Sequence, residues 1–545
     1  MALNLNPHPN PLRLAWARAP GRRARGIRTL RTAVGALAAL AVCGALAGCD
    51  AHDDTARTDD PADTGSSASA PAAEPDAGWR FTRIRATADA AAAAGASMTA
   101  RVRDDPRLAQ PGAIAIPESA SASAPRATAA DAPTRLPAVQ AAAADADAAT
   151  LVRGRYLALA GDCSACHDAA DHTPYAGGLP VNSPFGPIYA PNITPDPTHG
   201  IGRYTLQQFD DALRRGVRAD GSRLYPAMPY PSFARLSADD VRALYAYFMH
   251  GVAPSANAVR ATRLPFPFNQ RWALALWRFA FANTGRFAPS PSRSAEWNRG
   301  AYLVQGLGHC GACHTPRGPG FNERGYDERS AAFLTGGIND HWFAPNLTGA
   351  IPDGLGRWSA DDIATFLRSG HAARGAVFGA MAPVVGESTA LLTDADRHAI
   401  AVYLKSLPAQ PTAATNPLGI GTARLTAAGP RPEGGQQAPG AGVYAGFCAR
   451  CHGADGAGVR DHGPPLADNP VVLAADPTSA IRIVVEGARP APGTSGPVQR
   501  MPAMRGVLTH GEIAAVVSYV RGAWTNRAAP VSERDVRRLA AKIDR

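Results

Sequence analysis

Cys163-Ser164-Ala165-Cys166-His167 is the first of three Cys-x-x-Cys-His pentapeptides in this chain; the others are Cys310-Gly311-Ala312-Cys313-His314 and Cys448-Ala449-Arg450-Cys451-His452. This pattern is typical of covalent c-type haem attachment, in which the two thiols add to the haem vinyl groups and the histidine becomes an axial ligand of the iron. The sequence therefore predicts three covalently bound haem c groups. The predicted attachment residues are Cys163, Cys166, Cys310, Cys313, Cys448 and Cys451, and the predicted proximal ligands are His167, His314 and His452.

A zinc site or a redox-active dithiol is the alternative interpretation of each pentapeptide. Two observations favour haem. Each pentapeptide is followed by a methionine-bearing segment and then by a helix pattern that contains an aromatic residue. Of the 8 cysteines, 6 lie in the pentapeptides, and the other two, Cys43 and Cys49, lie near the N-terminus. No pair therefore remains for a structural disulfide in the mature chain.

Methionine is the usual sixth ligand of an iron that carries electrons, and the chain has only 7 methionines. Met228 lies between prolines in Leu224–Tyr230, and we expect it, rather than Met249, to be the first sixth ligand. Met381 is the candidate of the second repeat. In the third, Met501 precedes a proline and is the expected ligand, whereas Met504 is expected to fill an apolar position.

Three segments repeat around the pentapeptides and predict the fold. Gly154-Arg155-Tyr156, Gly300-Ala301-Tyr302 and Gly442-Val443-Tyr444 each indicate a helix that leads into an attachment site. Ser237, Thr393 and Thr509 each follow a leucine and have an acid three residues later, which predicts the N-cap of a second helix. A tyrosine lies eleven residues after each of those leucines. A glycine-containing helix that crosses an aromatic helix resembles the N- and C-terminal helix pair of class I cytochrome c.

That resemblance implies an all-α fold with three tandem class I cytochrome c domains. We place them at residues 149–290, 291–410 and 439–528, with a linker at 411–438 and a charged C-terminal tail at 529–545 that is expected to form a surface helix. The gapless match between residues 203–216 and 357–370 supports tandem repeats. In class I cytochromes a proline carbonyl accepts the Nδ1–H of the proximal histidine, and Pro464 is the expected acceptor for His452.

The N-terminus predicts export. Residues 1–48 combine seven arginines with a short apolar core, which is typical of a signal peptide. The core ends in Leu46-Ala47-Gly48-Cys49, which resembles a bacterial lipobox and implies lipidation of Cys49 and a location on the periplasmic face of the inner membrane. An ordinary signal peptide with a chance cysteine is the alternative. Residues 49–148 have few large apolar residues and are predicted to be a disordered tether.

The net charge of +10 includes the seven arginines of the predicted signal peptide, so the mature chain is nearer +3. With no basic cluster in the mature part, nothing predicts binding to nucleic acid. The aromatic stretch Leu264–Phe287 is predicted to pack between the first two repeats, or alternatively to contact a partner or a membrane interface.

The segments Tyr189–Asp196, Gly200–Gly202 and Leu224–Tyr230 resemble the triheme cytochrome c subunits of membrane-bound alcohol and gluconate dehydrogenases, and Phe266–Asn269 with Arg271 and Trp277 resembles the link between their first two domains. The resemblance covers roughly residues 150–525. It implies electron flow from an FAD- or PQQ-dependent dehydrogenase subunit, through three haems, to ubiquinone or a terminal oxidase.

The alternative function is that of a multihaem enzyme with its own substrate site, such as a peroxidase or a thiosulfate dehydrogenase. Such an enzyme needs an iron with an open or displaceable position. Because every repeat supplies a candidate methionine ligand, electron transfer is the favoured interpretation, and no residue of this chain is predicted to be catalytic.

Overall fold

A computed structural model describes residues 136–282, 285–412, 438–460, 462–491 and 500–543, with the backbone alone for 136–147. The predicted signal peptide, Cys49, most of the predicted tether and nearly all of the 411–438 linker lie outside the described residues. Within the described ranges, no helix combines the length and the apolar character needed to cross a membrane.

The first repeat is built on two crossing helices. Its helices are α1 (Leu136–Ala160), α2 (Cys163–His167), α3 (Leu206–Arg215), α4 (Tyr230–Phe233) and α5 (Ala238–Ala246), and its strands are β1 (Pro180–Val181) and β2 (Ile188–Tyr189). Helix α1 packs across α5, which continues as a π-helical turn, Tyr247–Gly251. Since α1 begins at residue 136, the last part of the predicted tether is helical, and its many alanines favour that conformation.

A linking helix, α6 (Ala273–Phe281), follows the first repeat. Trp277 packs edge-on to Tyr230 and donates from Nε1 to the carbonyl of Gly320, 2.6 Å away. This side of the helix therefore bridges the first two repeats, as predicted. The helix also carries the exposed apolar residues Leu276 and Phe279, and Trp272, directly before it, is 68% exposed.

The second repeat has the same plan. Its helices are α7 (Ala295–Tyr302), α8 (Gly311–His314), α9 (Ala360–Ser369), α10 (Met381–Pro383) and α11 (Asp394–Lys405), and its antiparallel hairpins are β3 (Gly337–Asn339) with β4 (Trp342–Ala344) and β5 (His371–Ala372) with β6 (Gly375–Ala376). Helix α7 crosses α11 and continues as a π-helical turn, Leu303–Leu307. A second π-helical turn, Val384–Ser388, follows α10 and leads into the 3₁₀ turn Thr389–Leu391.

The predicted match between residues 203–216 and 357–370 is confirmed as a pair of equivalent helices. Thr205 caps α3 and Ser359 caps α9 with a side-chain oxygen, and each helix ends at a glycine with a left-handed backbone, Gly216 and Gly370.

The third repeat has helices α12 (Ala441–Phe447), α13 (Ala449–His452), α14 (Pro470–Leu473), α15 (Thr478–Glu486), α16 (His510–Gly522) and α17 (Glu533–Ile543). Helix α17 lies within the predicted C-terminal tail, 529–545, where the sequence analysis expected a surface helix. It packs on α15 and α16 and buries Val536 and Leu539 in their core. Its exposed face carries Glu533, Arg534 and Arg537, whereas Asp535 is buried.

The described residues are thus mainly helical, as predicted, with three two-stranded hairpins that the sequence analysis did not predict. Of the predicted N-caps, Ser237, Thr393 and Thr509 are all confirmed by side-chain bonds to the N–H three residues on.

Glycine permits each pair of crossing helices to touch. A Cβ atom on Gly154 would lie 2.0 Å from the carbonyl oxygen of Ala243, and one on Gly300 would lie 1.9 Å from that of Ala399. In the third repeat the glycine at the crossing is Gly440, where a Cβ would lie 2.2 Å from the carbonyl oxygen of Ala515. Gly442, which the sequence analysis aligned with Gly154 and Gly300, is not at this crossing, because no atom lies within 4 Å of an added Cβ there.

Gly440→Ala should destabilise the third repeat by about 3 kcal/mol, since its Cβ would overlap backbone and its φ of 93° is unfavourable for alanine. Gly442→Ala, two residues away in the exposed first turn of α12, should be neutral or stabilising by about 0.5 kcal/mol. Denaturant unfolding of the haem-loaded chain measures both. Equal effects of the two substitutions would contradict the helix crossing.

Candidate haem-binding sites

Each pentapeptide histidine is oriented by a proline carbonyl. The Nδ1···O distances are 2.8 Å for His167 and Pro191, 2.7 Å for His314 and Pro345, and 2.9 Å for His452 and Pro464. Because a carbonyl can only accept, Nδ1 carries the proton and Nε2 keeps its lone pair. Burial lowers the pKa of all three imidazoles, even though the bond to the proline opposes this shift, which favours the neutral ring that a metal ligand requires.

The prediction of Pro464 as the acceptor for His452 is confirmed. The sequence analysis missed the equivalent residues of the first two repeats, although a shared pattern marks them: Ala190-Pro191-Asn192-Ile193-Thr194 and Ala344-Pro345-Asn346-Leu347-Thr348. The loop lengths hid the match, since the proline follows the histidine by 24 residues in one repeat and by 31 in the other.

The asparagine after each of these prolines holds its loop in place. Asn192 accepts from the N–H of Thr194 at 2.9 Å and donates to the carbonyl of Ser255 at 2.8 Å. Asn346 makes the same two bonds, accepting from Thr348 and donating to the carbonyl of Gln410, both at 2.8 Å. Each proline carbonyl is therefore tied to a segment that follows the last helix of its repeat, and it has a fixed direction toward the histidine.

The thiols of the pentapeptides also fit covalent attachment. None of the six, all of which lie within the described residues, forms a disulfide bond. Burial raises the pKa of Cys163 and of Cys310 to about 12, and that of Cys166 and of Cys448 to about 11. A redox-active dithiol is normally marked by the opposite shift, toward a stable thiolate. Among the described residues, no group of three or more His, Cys, Asp or Glu side chains could hold a metal ion.

The attachment loops of the first two repeats touch. His309 lies directly before Cys310, and its Nε2 is 3.3 Å from the carbonyl oxygen of Gly161, two residues before Cys163. The ring of His309 also packs edge-on to Phe233 of the first repeat, with centroids 5.6 Å apart. The structure thus brings the first two candidate haem sites together, where α1 of the first repeat and the π-helical turn Leu303–Leu307 of the second repeat end.

The candidate methionines lie in different surroundings. Met228 precedes α4 and packs against the core of the first two repeats, and Met381 opens α10 beside Val377 and Val385. Met501 pairs with Ala488 through two backbone bonds of 3.0 Å and is half-buried. Met504 is buried in the third core, the apolar position expected for it. Ligation of iron by Met228, Met381 and Met501 stays a prediction.

Two tyrosines join the first two repeats, because each donates a hydrogen bond to an aspartate of the other repeat. The sequence analysis did not predict these contacts. Tyr156 of the first repeat donates to Asp396 of the second at 2.6 Å, and Tyr302 of the second donates to Asp240 of the first at 2.5 Å. Each hydroxyl also accepts an N–H from the opposite repeat, from Thr393 at 3.2 Å and from Ser237 at 3.1 Å. Each tyrosine therefore covers the N-terminus of the last helix of the opposite repeat, α11 for Tyr156 and α5 for Tyr302.

Each of these two aspartates also forms an ion pair with an arginine of its own repeat. Arg153 is 2.6 Å from Asp240, and Arg299 is 2.7 Å from Asp396. Burial opposes ionisation of Asp396, but bonds from Arg299 and Tyr156 outweigh it and hold the pKa below its usual value. Burial and the neighbouring Asp396 carboxylate raise the pKa of Tyr156 to about 12. We name this two-fold arrangement of Tyr156, Asp396, Tyr302 and Asp240, with their arginines, the tyrosine clasp.

Comparison with known proteins agrees with these sites. A family model described as cytochrome c matches residues 298–408 and 437–524, which contain the second and third pentapeptides. The fold and the sites thus define a protein with cytochrome c domains.

Three relatives narrow the class. The chain is 48% identical over 401 residues to the cytochrome c subunit of a quinone-type alcohol dehydrogenase from Gluconacetobacter polyoxogenes, covering 72% of this chain and 85% of the relative. It is 45% identical to a gluconate 2-dehydrogenase cytochrome c subunit from Pantoea cypripedii, covering 72% and 90%. A diheme cytochrome c-type protein of Cereibacter sphaeroides is 42% identical over 265 residues, covering 47% and 86%. The chain belongs to the family of alcohol dehydrogenase and gluconate 2-dehydrogenase cytochrome c subunits.

Tyr156→Phe should lower the free energy of unfolding of the first two repeats by about 2 kcal/mol, because it removes a hydrogen bond to a largely buried carboxylate. Tyr245→Phe is the matched control, since Tyr245 donates to the carbonyl of Tyr204 inside the first repeat, at 2.9 Å. Denaturant unfolding, with limited proteolysis at the boundary near residue 290, measures both variants. The clasp is refuted if Tyr156→Phe costs less than the control and leaves the boundary equally protected.

Proposed function

We propose that the mature chain is a membrane-anchored triheme cytochrome c that passes electrons from a periplasmic FAD- or PQQ-dependent dehydrogenase subunit to ubiquinone or a terminal acceptor. The observation that carries this proposal is the triple geometry of the proximal sites: three histidines, each with Nδ1–H on a proline carbonyl and Nε2 free to bind iron. The names of the relatives, which are cytochrome c subunits of dehydrogenases, support a dehydrogenase partner.

The proposal includes three tandem haem domains, at residues 149–290, 291–410 and 439–528, with α17 added to the third. One helix crossing, one pentapeptide and one proline acceptor occur in each. Haem, when bound, supplies a one-electron centre whose potential depends on its axial ligands and their hydrogen bonds. The residues of the chain fix the direction of each imidazole through the proline carbonyl, and partial or full burial favours the neutral ring.

The close approach of Gly161 to His309 supports transfer between the first two haems without an intervening protein. The two attachment loops belong to different repeats, and the tyrosine clasp holds those repeats in one arrangement. The alternative function is that of a multihaem enzyme. Such an enzyme would differ from an electron-transfer cytochrome in having an iron position open to small ligands.

Met228→Leu, Met381→Leu and Met501→Leu should each reduce the far-red sulfur-to-iron charge-transfer band of the oxidised protein by about a third, since three His/Met irons would share it. Met504→Leu is the control and should leave the band unchanged. The reduced native protein should bind no carbon monoxide, whereas each of the three variants should bind it at one haem.

Carbon monoxide binding by the native protein would favour the enzyme alternative. A loss of the band in Met504→Leu but not in Met501→Leu would reverse the assignment in the third repeat. If none of the three single substitutions changes the spectrum, the sixth ligands lie elsewhere.

The membrane anchor is proposed at Cys49, outside the described residues. Cys49→Ser should release the haem-loaded cytochrome into the soluble periplasmic fraction, because acyl chains on this cysteine would supply the attachment. Fractionation of cells that express the chain without a dehydrogenase measures this. Retention of Cys49→Ser in the membrane under those conditions would contradict the lipoprotein assignment.

A further inference from the structure

The β3–β4 hairpin of the second repeat connects two parts of one candidate haem site. Its first strand lies against the pentapeptide. The N–H of Gly336, directly before β3, donates to the carbonyl of His314 at 2.8 Å, and Asn339 lies 3.5 Å from the sulfur of Cys313. Its second strand ends at Ala344, directly before Pro345, whose carbonyl accepts from Nδ1 of His314. Movement of this hairpin would therefore move the hydrogen-bond acceptor of the histidine.

The third repeat holds this hairpin through a serine. Ser479, in the first turn of α15, accepts from the N–H of Phe343 and donates to the carbonyl of Phe343, both at 2.9 Å. Both residues are almost completely buried, with 1% and 3% exposure. Because Phe343 is two residues before Pro345, these two bonds fix the backbone that leads to the acceptor carbonyl.

An arginine of the same helix holds the tip of the hairpin. Arg482 donates to the carbonyl of Asp340 at 2.5 Å, and its guanidinium lies 4.3 Å from the centre of the Trp342 ring. The tip residues Asp340 and His341 have φ values of 44° and 56°, a two-residue turn that normally favours asparagine and glycine. A bond from outside the hairpin therefore stabilises a turn that its own sequence favours weakly.

The hairpin also contacts the loop that carries the candidate methionine of the second repeat. The Trp342 ring lies against Gly379, where a Cβ would be 2.7 Å away, and it packs on Phe378 with centroids 5.6 Å apart. Two residues further on is Met381, which packs in a small apolar cluster with Ala491 of the third repeat. Helix α15 thus contacts the hairpin, and Ala491, in the segment that follows α15, contacts the cluster that contains Met381.

We infer that helix α15 of the third repeat positions the axial histidine of the second haem, with Ser479 and Arg482 as positioning residues, so that the redox equilibrium of the second haem depends on the docking of the third domain. This inference rests on the proposed function in one respect, ligation of the second haem by His314. The bond from Nδ1–H to the proline carbonyl increases the basicity of the imidazole, which stabilises oxidised iron. A loosened carbonyl weakens that bond and favours reduced iron.

Ser479→Ala tests the inference, because it removes both bonds to Phe343 and leaves α15 otherwise intact. The matched control is Ser518→Ala. Ser518, also buried in the third repeat, accepts from the N–H of Val531 at 2.8 Å and donates to its carbonyl at 3.1 Å, but it lies within that repeat. Spectroelectrochemical titration of the full, haem-loaded chain gives the three potentials in each variant.

The second haem is identified in a Cys310→Ala background. There it remains attached through Cys313 alone, and the unreacted vinyl group shifts its α-band to longer wavelength. In Ser479→Ala its reduced-to-oxidised equilibrium should change about threefold in favour of reduced iron, which is roughly 30 mV for one electron. The other two potentials should not move, and Ser518→Ala should move none of the three.

Three haems per chain with no shift at the second haem in Ser479→Ala would overturn the inference while leaving the proposed function intact. Equal shifts in Ser479→Ala and Ser518→Ala would also overturn it, since they would reflect general loosening of the third repeat. Fewer than three haems in the native protein would instead contradict the proposed function. Arg482→Lys keeps the charge but loses the planar contact with Trp342, and it should shift the same haem if Ser479→Ala impairs assembly.

Discussion

The structure depends on one repeated interaction, the hydrogen bond from Nδ1 of each pentapeptide histidine to a proline carbonyl. Attachment through the two cysteines would place the histidine next to the haem, but rotation about its side-chain bonds would still let the ring turn. The carbonyl removes that freedom and selects the tautomer whose Nε2 can bind iron. Loops of different lengths end at this one acceptor, and in the first two repeats an asparagine locks the loop to the segment after the last helix.

The acidic residue in the first turn of α5, α11 and α16 binds different groups in the three repeats. In the third repeat Glu512 completes a capping box with Thr509 inside its own helix. In the first two repeats the corresponding acids are Asp240 and Asp396, which bind a tyrosine of the opposite repeat and an arginine of their own. The third repeat joins the second through α15 and the β3–β4 hairpin instead. The second repeat is therefore the one that contacts both others in the part of the chain described.

Much of this could be predicted from local sequence. The pentapeptides, the caps Ser237, Thr393 and Thr509, and the helix pairs follow from short patterns, because a few adjacent residues determine helix ends and attachment sites. Pro464 was predictable because it lies close to His452. The acceptors Pro191 and Pro345 follow longer loops, and their shared pattern becomes meaningful only once the loops are folded back.

The contacts between repeats could not be predicted in this way. A tyrosine such as Tyr156 fits an ordinary aromatic position of a helix, and nothing local indicates that its hydroxyl binds Asp396, 240 residues later. Gly440 and Gly442 both precede the third pentapeptide, and only the approach of α16 distinguishes them. The sequence analysis expected only a surface helix at 529–545, because Val536 and Leu539 are few among charged residues. The fold shows that these two residues bury one face of α17 in the third core.

The central claim is that each of the three histidine and proline pairs holds a covalently attached haem. The most direct measurement is the haem content of the purified mature chain, from the alkaline pyridine spectrum of the reduced, denatured protein after acid–acetone extraction of any loosely bound haem. We predict three haems per chain. A value near two would contradict the claim, because one complete pair, with its cysteines and its oriented imidazole, would then carry no haem.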